Sequence, residues 1–491
     1  MVNSKHILGI DCGQTALKIC VFNTEGKELS SVSAPTGAYY TEDGITAELD
    51  MNLLWQNVQR LLQQITATLP SDSIAAIGVS GHGNGVYAVD RQGKAFMPAI
   101  LSTDLRASPV ITDWQVTGRA EAIRRKILCP PWAGQPVPIL VHLKKTEPAR
   151  YQAIGSVLSC ADWINYCLCG VLSSDYGSLG TCGLIDQKTK QTDAALCEAY
   201  GLPELADLLP PAYAAGSLIG CVTEKAAAET GLAIGTAVTA GNFDVNACCI
   251  GGGAVLPDRY SVTAGTWSIN AAFSEAPVIS DRLFSCNLYA DGAQYINIES
   301  SPTSAINLEV FLSRHPDLTP RACDELVENT DWHTDPEALY LPYVKPLPTM
   351  PFLKGGFSQQ AEAAPLPEKL RILYEGVAMG HRYHLENLKA AGIHRPVVRM
   401  TGGATRSAVW MQIFADILGH PIELPDGHSA GALGAAICAG TAAGLYESID
   451  AACRSMIAVR KTVYPDPARS HFYQQKFEAF LNAIAAQAAE H

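Results

Sequence analysis

No two cysteines in this chain are spaced C-x-x-C, although fifteen are present. The commonest zinc and thiol-exchange signatures are therefore absent. Spread through 491 residues, the fifteen read as reduced, buried thiols of a cytoplasmic protein. Cys167, Cys169, Cys248 and Cys249 read as core residues rather than ligands. Basic residues are short as well: 35 Lys and Arg face 48 Asp and Glu, for a net charge of −13. Nucleic acid and anionic membrane surfaces both demand a basic face, so neither is expected as the main partner. A single anionic nucleotide needs only a local set of donors and stays open. No separate apolar segment precedes the first strand, so no signal peptide is expected at Met1–His6. The uncharged run from Ser429 to Tyr446 is mostly Ala and Gly, too weakly hydrophobic for a span, and reads as a packed internal helix. There is no Walker loop, no G-x-G-x-x-G, and no helix-turn-helix ahead of the first strand.

What is present is a duplicated device. Ile7–Phe22 and Tyr260–Asn270 each read as an apolar strand, a tight turn carrying Gly and Thr, and a second strand. Such turns point backbone N–H groups and hydroxyls at an anion. Two of them facing one cleft can hold a polyphosphate from both sides, which points to a nucleotide-using phosphotransferase. The length implies two domains, and 48% apolar with 17% charged residues describes a folded globular chain.

The rest of the chain fits that division. Asp50 is expected to cap a helix over Met51–Leu69, with Leu53, Leu54, Val58, Leu61, Leu62 and Ile65 on one stripe. Ile74–Ser80 reads as a buried strand, and a third strand follows the first hairpin near Lys27–Ser33. Pro130–Pro131 and Pro136–Pro138 read as irregular chain, with a helical pattern resuming at Ile139–Lys145. Gly251–Gly253 reads as the boundary, giving domains 1–252 and 253–491. Beyond it come a Pro-rich stretch (Pro336–Pro367), a helix over Glu368–Ala391 stopped by Gly392, a strand at Val397–Thr401, and a helix from Ser407 to Gly419. The two halves look like structural cousins, two α/β domains with a cleft between them.

Several residues could carry chemistry there. Asp11 ends the first strand beside the first turn. Either it holds Mg²⁺ between itself and phosphate, or it turns back on its own backbone. Lys18 on the return strand can reach a phosphate or stay a surface lysine. Asp244 follows the apolar strand Ala237–Ala240; it either accepts the proton of an attacking hydroxyl or caps a helix. The strand-to-helix turn Thr401–Ser407 can seat a purine or ribose on its backbone. Ser80–Gly85 with Asp104 and Arg106 offers the mixed donors and acceptors a polyol needs, and Trp132 can line that loop. His381 and His384 share a helix face but lack a third ligand.

In order and spacing, Asp11-Cys12-Gly13-Gln14-Thr15, Asp244 in its Gly-x-x-Asp setting, Gly265-Thr266, Gly402-Gly403-Ala404 and the closing Ala432–Ala436 helix resemble the FGGY carbohydrate kinases. The resemblance spans essentially the whole chain. It implies two actin-like, ribonuclease H-like α/β domains with a catalytic cleft between them. It further implies transfer of the γ-phosphoryl of ATP to a terminal sugar hydroxyl. Asp11 would organise Mg²⁺, with Asp244 beside it. Gly13, Thr15, Lys18, Gly265 and Thr266 would hold the phosphates. Gly402, Gly403, Ala404 and Ser407 would seat the adenosine, and Asp244 would be the general base. His82, Asn84, Asp104, Arg106, Trp132 and Asp244 would meet the sugar. Ser80–Gly85, Ala99–Asp104, Trp132–Gly134 and Ser301–Ser304 are most similar to L-xylulose kinases. L-xylulose is thus the first choice of substrate, with D-xylulose, ribulose, erythritol or xylitol as alternatives; a homodimer is compatible with it. A non-enzymatic nucleotide or sugar sensor is the alternative of another class. Gln14, Leu17 and Ser429 stand where many members carry Thr, Ser and Glu.

Overall fold

The Asp50 carboxylate accepts from the N–H groups of Asn52 and Leu53 (2.8 and 3.1 Å) and opens helix α1 (Met51–Thr66). Such a cap is worth about 1 kcal/mol. The predicted stripe of α1 is buried except for Leu53, which is exposed at the edge of that face, and the helix ends three residues earlier than its apolar pattern suggests. The computed structural model describes residues 5–490 except 256–257, 334, 346, 348–349, 351 and 428. The Met1–Ser4 start and part of the Pro336–Pro367 stretch lie outside the described residues.

Two seven-stranded sheets organise the chain. The first contains β1 (His6–Cys12), β2 (Ala16–Phe22), β3 (Glu28–Pro35), β4 (Ile74–Gly81), β5 (Leu218–Cys221), β6 (Ala237–Thr239) and β7 (Asn242–Phe243), in the order β3-β2-β1-β4-β6-β5 with β7 also on β4. The second contains β8 (Arg259–Ala264), β9 (Ser268–Ser274), β10 (Ser285–Leu288), β11 (Tyr295–Ser301), β12 (Val397–Thr401), β13 (Ile422–Pro425) and β14 (Val459–Val463), in the order β10-β11-β9-β8-β12-β13-β14.

Read outward from each hairpin, the strand directions match. β1 and β8 are antiparallel to their hairpin partners, and those partners are antiparallel to the next strand out. On the other side β1 and β8 pair in parallel with β4 and β12. The duplication visible as two turns is thus a duplication of sheets, and it leaves the C-terminal ends of β1 and β8, with their turns, at one end of each sheet.

Short helices join the layers: α2 (Cys160–Cys169), α3 (Tyr176–Thr181), α4 (Asp244–Gly251), α5 (Leu366–Ala390), α6 (Ala408–Leu418) and α7 (Ala430–Ala442). The Pro136–Pro138 segment is not irregular: Pro136 is the first residue of a helix running to Thr146. Proline fits a first helical turn, whose N–H groups have no partner inside the helix anyway. The uncharged run is the internal helix expected, α7, buried from Gly431 to Gly440. Among the described residues no helix is long and apolar enough to cross a membrane.

α7 follows a strand of the second sheet but packs on β1 and β4 of the first, and against α4. The contact is backbone to backbone. A Cβ on Gly9 would stand 1.9 Å from Ala432 O, and one on Gly434 would stand 1.9 Å from Ala247 O. Only glycine allows such an approach. All fifteen cysteines are free. Cys169 and Cys249 are buried, while Cys167 and Cys248 are half-buried.

Candidate functional site

β1 carries Asp11 to its end, one residue short of the turn. The turn closes tightly, with the Gly13 N–H on Ala16 O at 2.9 Å, and leaves Thr15 exposed. Asp11 Oδ1 accepts from the Ser80 hydroxyl on neighbouring β4 (3.0 Å). Its other oxygen faces the first turn of α7, where a Cβ on Gly431 would lie 2.3 Å from Oδ2. Burial raises the Asp11 pKa, and the Ser80 hydrogen bond opposes that rise.

Asp244 is the first residue of α4, directly after β7. It does not occupy the cap position, which falls to Phe243, and its Oδ1 accepts from the Val245 N–H (2.7 Å). Burial pushes its carboxyl up to about 7; nearby His82 pulls it down and Asp11 pushes it further up. The two carboxylates are therefore electrostatic neighbours, Asp11 near the end of β1 and Asp244 at the helix start that follows β7 of the same sheet. That is a hard oxygen donor set, with Ser80 alongside, of the kind Mg²⁺ takes together with phosphate and water. Among the described residues no group of three His, Cys, Asp or Glu side chains could hold a metal alone.

Lys18 lies on β2, its Nζ donating to the Ser429 hydroxyl and 4.0 Å from Glu28. Ser429 in turn donates to Glu28 (2.8 Å). The second turn mirrors the first: the Gly265 N–H reaches Trp267 O at 3.2 Å, and Thr266 is exposed. The Thr266 carbonyl accepts from the Ser304 N–H (2.9 Å).

Gly402 adopts φ +100° where β12 leaves the sheet, close against Ala264. Gly403 has open space at its Cβ position, and Ala404 is buried. Ser407 is committed to the protein, capping α6 through the Trp410 N–H (3.1 Å) and donating to Asp324 (2.7 Å). An interdomain cavity of about 440 Å³ is lined by Lys27, Glu28 and Ser429 on one side and by Gly402, Gly403 and Arg406 on the other.

The loop after β4 holds His82 and Asn84, both buried. His82 Nε2 lies 2.7 Å from the Tyr87 hydroxyl, and its Nδ1 has no partner among the described residues. Burial disfavours charging His82, but neighbouring Cys160 and Asp244 outweigh it, and its pKa is raised. Asn84 holds φ +63°, and its Oδ1 is likewise buried and unpartnered. A left-handed asparagine with an idle buried acceptor is a costly arrangement that a ligand hydroxyl would relieve.

Asp104 is fully buried and turned inward, accepting from the Ala47 N–H (2.8 Å) and from Arg106. Arg106 also binds Glu48 (2.6 Å), which leaves its Nη1 without a partner among the described residues. Trp132 is half-buried. His381 and His384 are core residues, not ligands: His381 sits between Ser268, Asn270 and Ser304, and His384 pairs with Glu299 at 3.0 Å.

Sequence reasoning placed Ser80 in the sugar loop rather than on Asp11, and missed the Ser429–Glu28 contact beside Lys18 and the Gln14–Ser102 hydrogen bond. All three act across gaps in sequence that no local motif reveals.

Residues 6–251 match the N-terminal domain of the FGGY family of carbohydrate kinases, and residues 260–443 match its C-terminal domain. A probable L-xylulose kinase of Pasteurella multocida is 33% identical, over 98% of this chain and 99% of its own. The L-xylulose/3-keto-L-gulonate kinase of Escherichia coli is 30% identical, over 98% and 97%. A ligand-bound xylulose kinase structure from Lactobacillus acidophilus superimposes with a TM-score of 0.91 at 23% identity, covering 99% of each chain.

Proposed function

This chain belongs to the FGGY family of carbohydrate kinases, and from that membership we propose that its acceptor is a ketopentose, L-xylulose first, phosphorylated on a terminal hydroxyl. It is a sugar kinase with the family's two-domain, actin-like α/β fold, and kinase membership implies ATP as the donor. That membership sets aside the non-enzymatic sensor. The two L-xylulose kinases above support the sugar, and D-xylulose, ribulose, erythritol and xylitol remain the alternatives.

The observation that carries the mechanism is Asp244, half-buried at the head of α4 within the field of Asp11, its carboxyl pushed up to about 7. A carboxylate whose affinity for protons lies near neutrality can take the hydroxyl proton as the oxygen attacks phosphorus. Asp11, with Ser80 fixing one oxygen, and Asp244 would hold Mg²⁺, which when bound neutralises charge on the phosphates. Gly13, Thr15, Lys18, Gly265 and Thr266 would receive those phosphates from the two turns. Gly402, Gly403 and Ala404 would seat the adenosine at the open face beside the interdomain cavity. His82 Nδ1, Asn84 Oδ1, Trp132 and the free Nη1 of Arg106 would meet the sugar, and Asp104 would act by holding Arg106. Closure of the domains would exclude the water that competes as acceptor.

The test is Mg-ATP-dependent ADP release with L- and D-xylulose, L- and D-ribulose, erythritol, xylitol and glycerol. Strong preference for L-xylulose is expected. Preference for a polyol would overturn the ketopentose assignment.

A further inference from the structure

Gln14 is the middle residue of the first turn, between Gly13 and Thr15. Its main chain is held from β3's side: the Thr36 hydroxyl donates to Gln14 O (2.5 Å), and the Thr36 N–H donates to Thr15 O (3.1 Å). Its side chain reaches the opposite way, to a loop 88 residues on. There Nε2 donates to the Ser102 hydroxyl, and Oε1 lies 3.5 Å from the Thr103 hydroxyl.

That loop leads into Asp104 and Arg106, and it is packed without slack. A Cβ on Gly134 would fall 1.7 Å from Ser102 O, so the 102–104 loop rests directly on the 132–135 loop. Gly134 O accepts from the Gly85 N–H (2.9 Å), immediately after left-handed Asn84. The three loops carrying Asn84, Arg106 and Trp132 are therefore stacked backbone on backbone. A tightly packed stack of this kind shifts as a unit rather than yielding at one contact.

We propose that Gln14 is a positioning residue that couples the sugar-facing stack to the phosphate-facing turn. Occupancy of one is felt at the other through the Gln14–Ser102 bond. This rests on the assignment of the turn to phosphate and of the stack to sugar made above. Ordering a long amide at a solvent-reached turn costs side-chain entropy. Spending both of its ends on another loop fits a link between sites better than a turn that merely needs closing, since the Gly13–Ala16 bond already closes it.

Coupling of this kind is reciprocal: each ligand tightens the other by the same factor, typically about 5- to 150-fold. The experiment measures the affinity of L-xylulose by calorimetry with and without Mg²⁺ and a non-hydrolysable ATP analogue. The parent, Gln14→Ala, Ser102→Ala and the double variant are compared, with melting curves to show that all are folded. The parent should show the tightening. Either single variant should cut it to about twofold or less, and the double variant should lose no more, because both remove one bond. Each ligand's affinity alone should hold in all four proteins. An unchanged coupling factor in the variants, additive losses in the double variant, or no coupling in the parent would overturn the inference while leaving the kinase assignment intact. Failure of L-xylulose to bind the parent at all would overturn the sugar assignment and this inference with it.

Discussion

Replacing Asp244 by Asn keeps the size and the Val245 contact but removes the proton acceptor. Turnover should fall about 10²- to 10⁴-fold, with the affinity for an ATP analogue in the absence of Mg²⁺ changed by less than about threefold. Stopped-time ADP assays and calorimetry separate the two, and full turnover in D244N would remove Asp244 from the base role. Asp11→Ala should act the other way, weakening Mg-nucleotide binding by about 10-fold or more while sugar binding barely moves. Equal nucleotide affinity in variant and parent would remove Asp11 from the metal site. Both residues were legible in the sequence because each sits inside a short local pattern, a strand followed by a Gly-bearing turn or a helix start. Ser80 beside Asp11, Ser429 beside Lys18 and Ser102 beside Gln14 were not legible. Each of these pairs is made by the sheet or the domain junction, and a serine in a strand or loop carries no mark of the partner that folding will bring.

At the level of elements, the helix pair α4 and α7 is the most constrained part of the molecule. Gly434→Ala would drive a methyl into Ala247 O, which is backbone and cannot swing aside. A loss of about 1–3 kcal/mol, or failure to fold, is expected and would show as a lower urea midpoint. Gly403→Ala meets nothing within 4 Å, so stability should hold within about 0.5 kcal/mol. The KM for ATP should rise if adenosine lies on that open face. Elements with an amphipathic stripe or a cap, such as α1 behind Asp50 or α6 between Ser407 and Gly419, were readable to within a few residues. The seat of α7 was not, since a helix buried on every side has no stripe to say which surfaces it touches. The helical pattern at Ile139–Lys145 falls inside the helix Pro136–Thr146, and only its first turn was unreadable, because proline also marks irregular chain while being tolerated at a first turn.

For the molecule as a whole, two buried acids bear on how stability changes with pH. Burial pushes Asp175 up to about 7, helped by Asp162, which burial itself pushes up to about 6. Raised above the ordinary aspartate value, these groups bind more protons folded than unfolded over that window. Their contribution is present below about pH 4 and is lost as pH rises through the folded values. From these groups the melting temperature should decline between pH 5 and pH 8. Asp175→Asn, which keeps an acceptor for the Ser178 N–H, should flatten that decline and raise the melting temperature at pH 8. Calorimetric scans at the two pH values test this, and an unchanged difference would show that Asp175 is not the group responsible.

The seating of α7 also bears on how the chain is made. β1 and β4 leave the ribosome with a glycine-faced strip whose cover is encoded about 180 residues beyond the end of α4, roughly 10–35 s later at ordinary rates of synthesis. Until then the first sheet is a half-built surface, and no cut between the two halves of the gene can yield a first half that is closed on its own. The nascent chain has to shield that strip, and a slowed ribosome between codons 252 and 430 should make the protein more prone to aggregate than one slowed after codon 443.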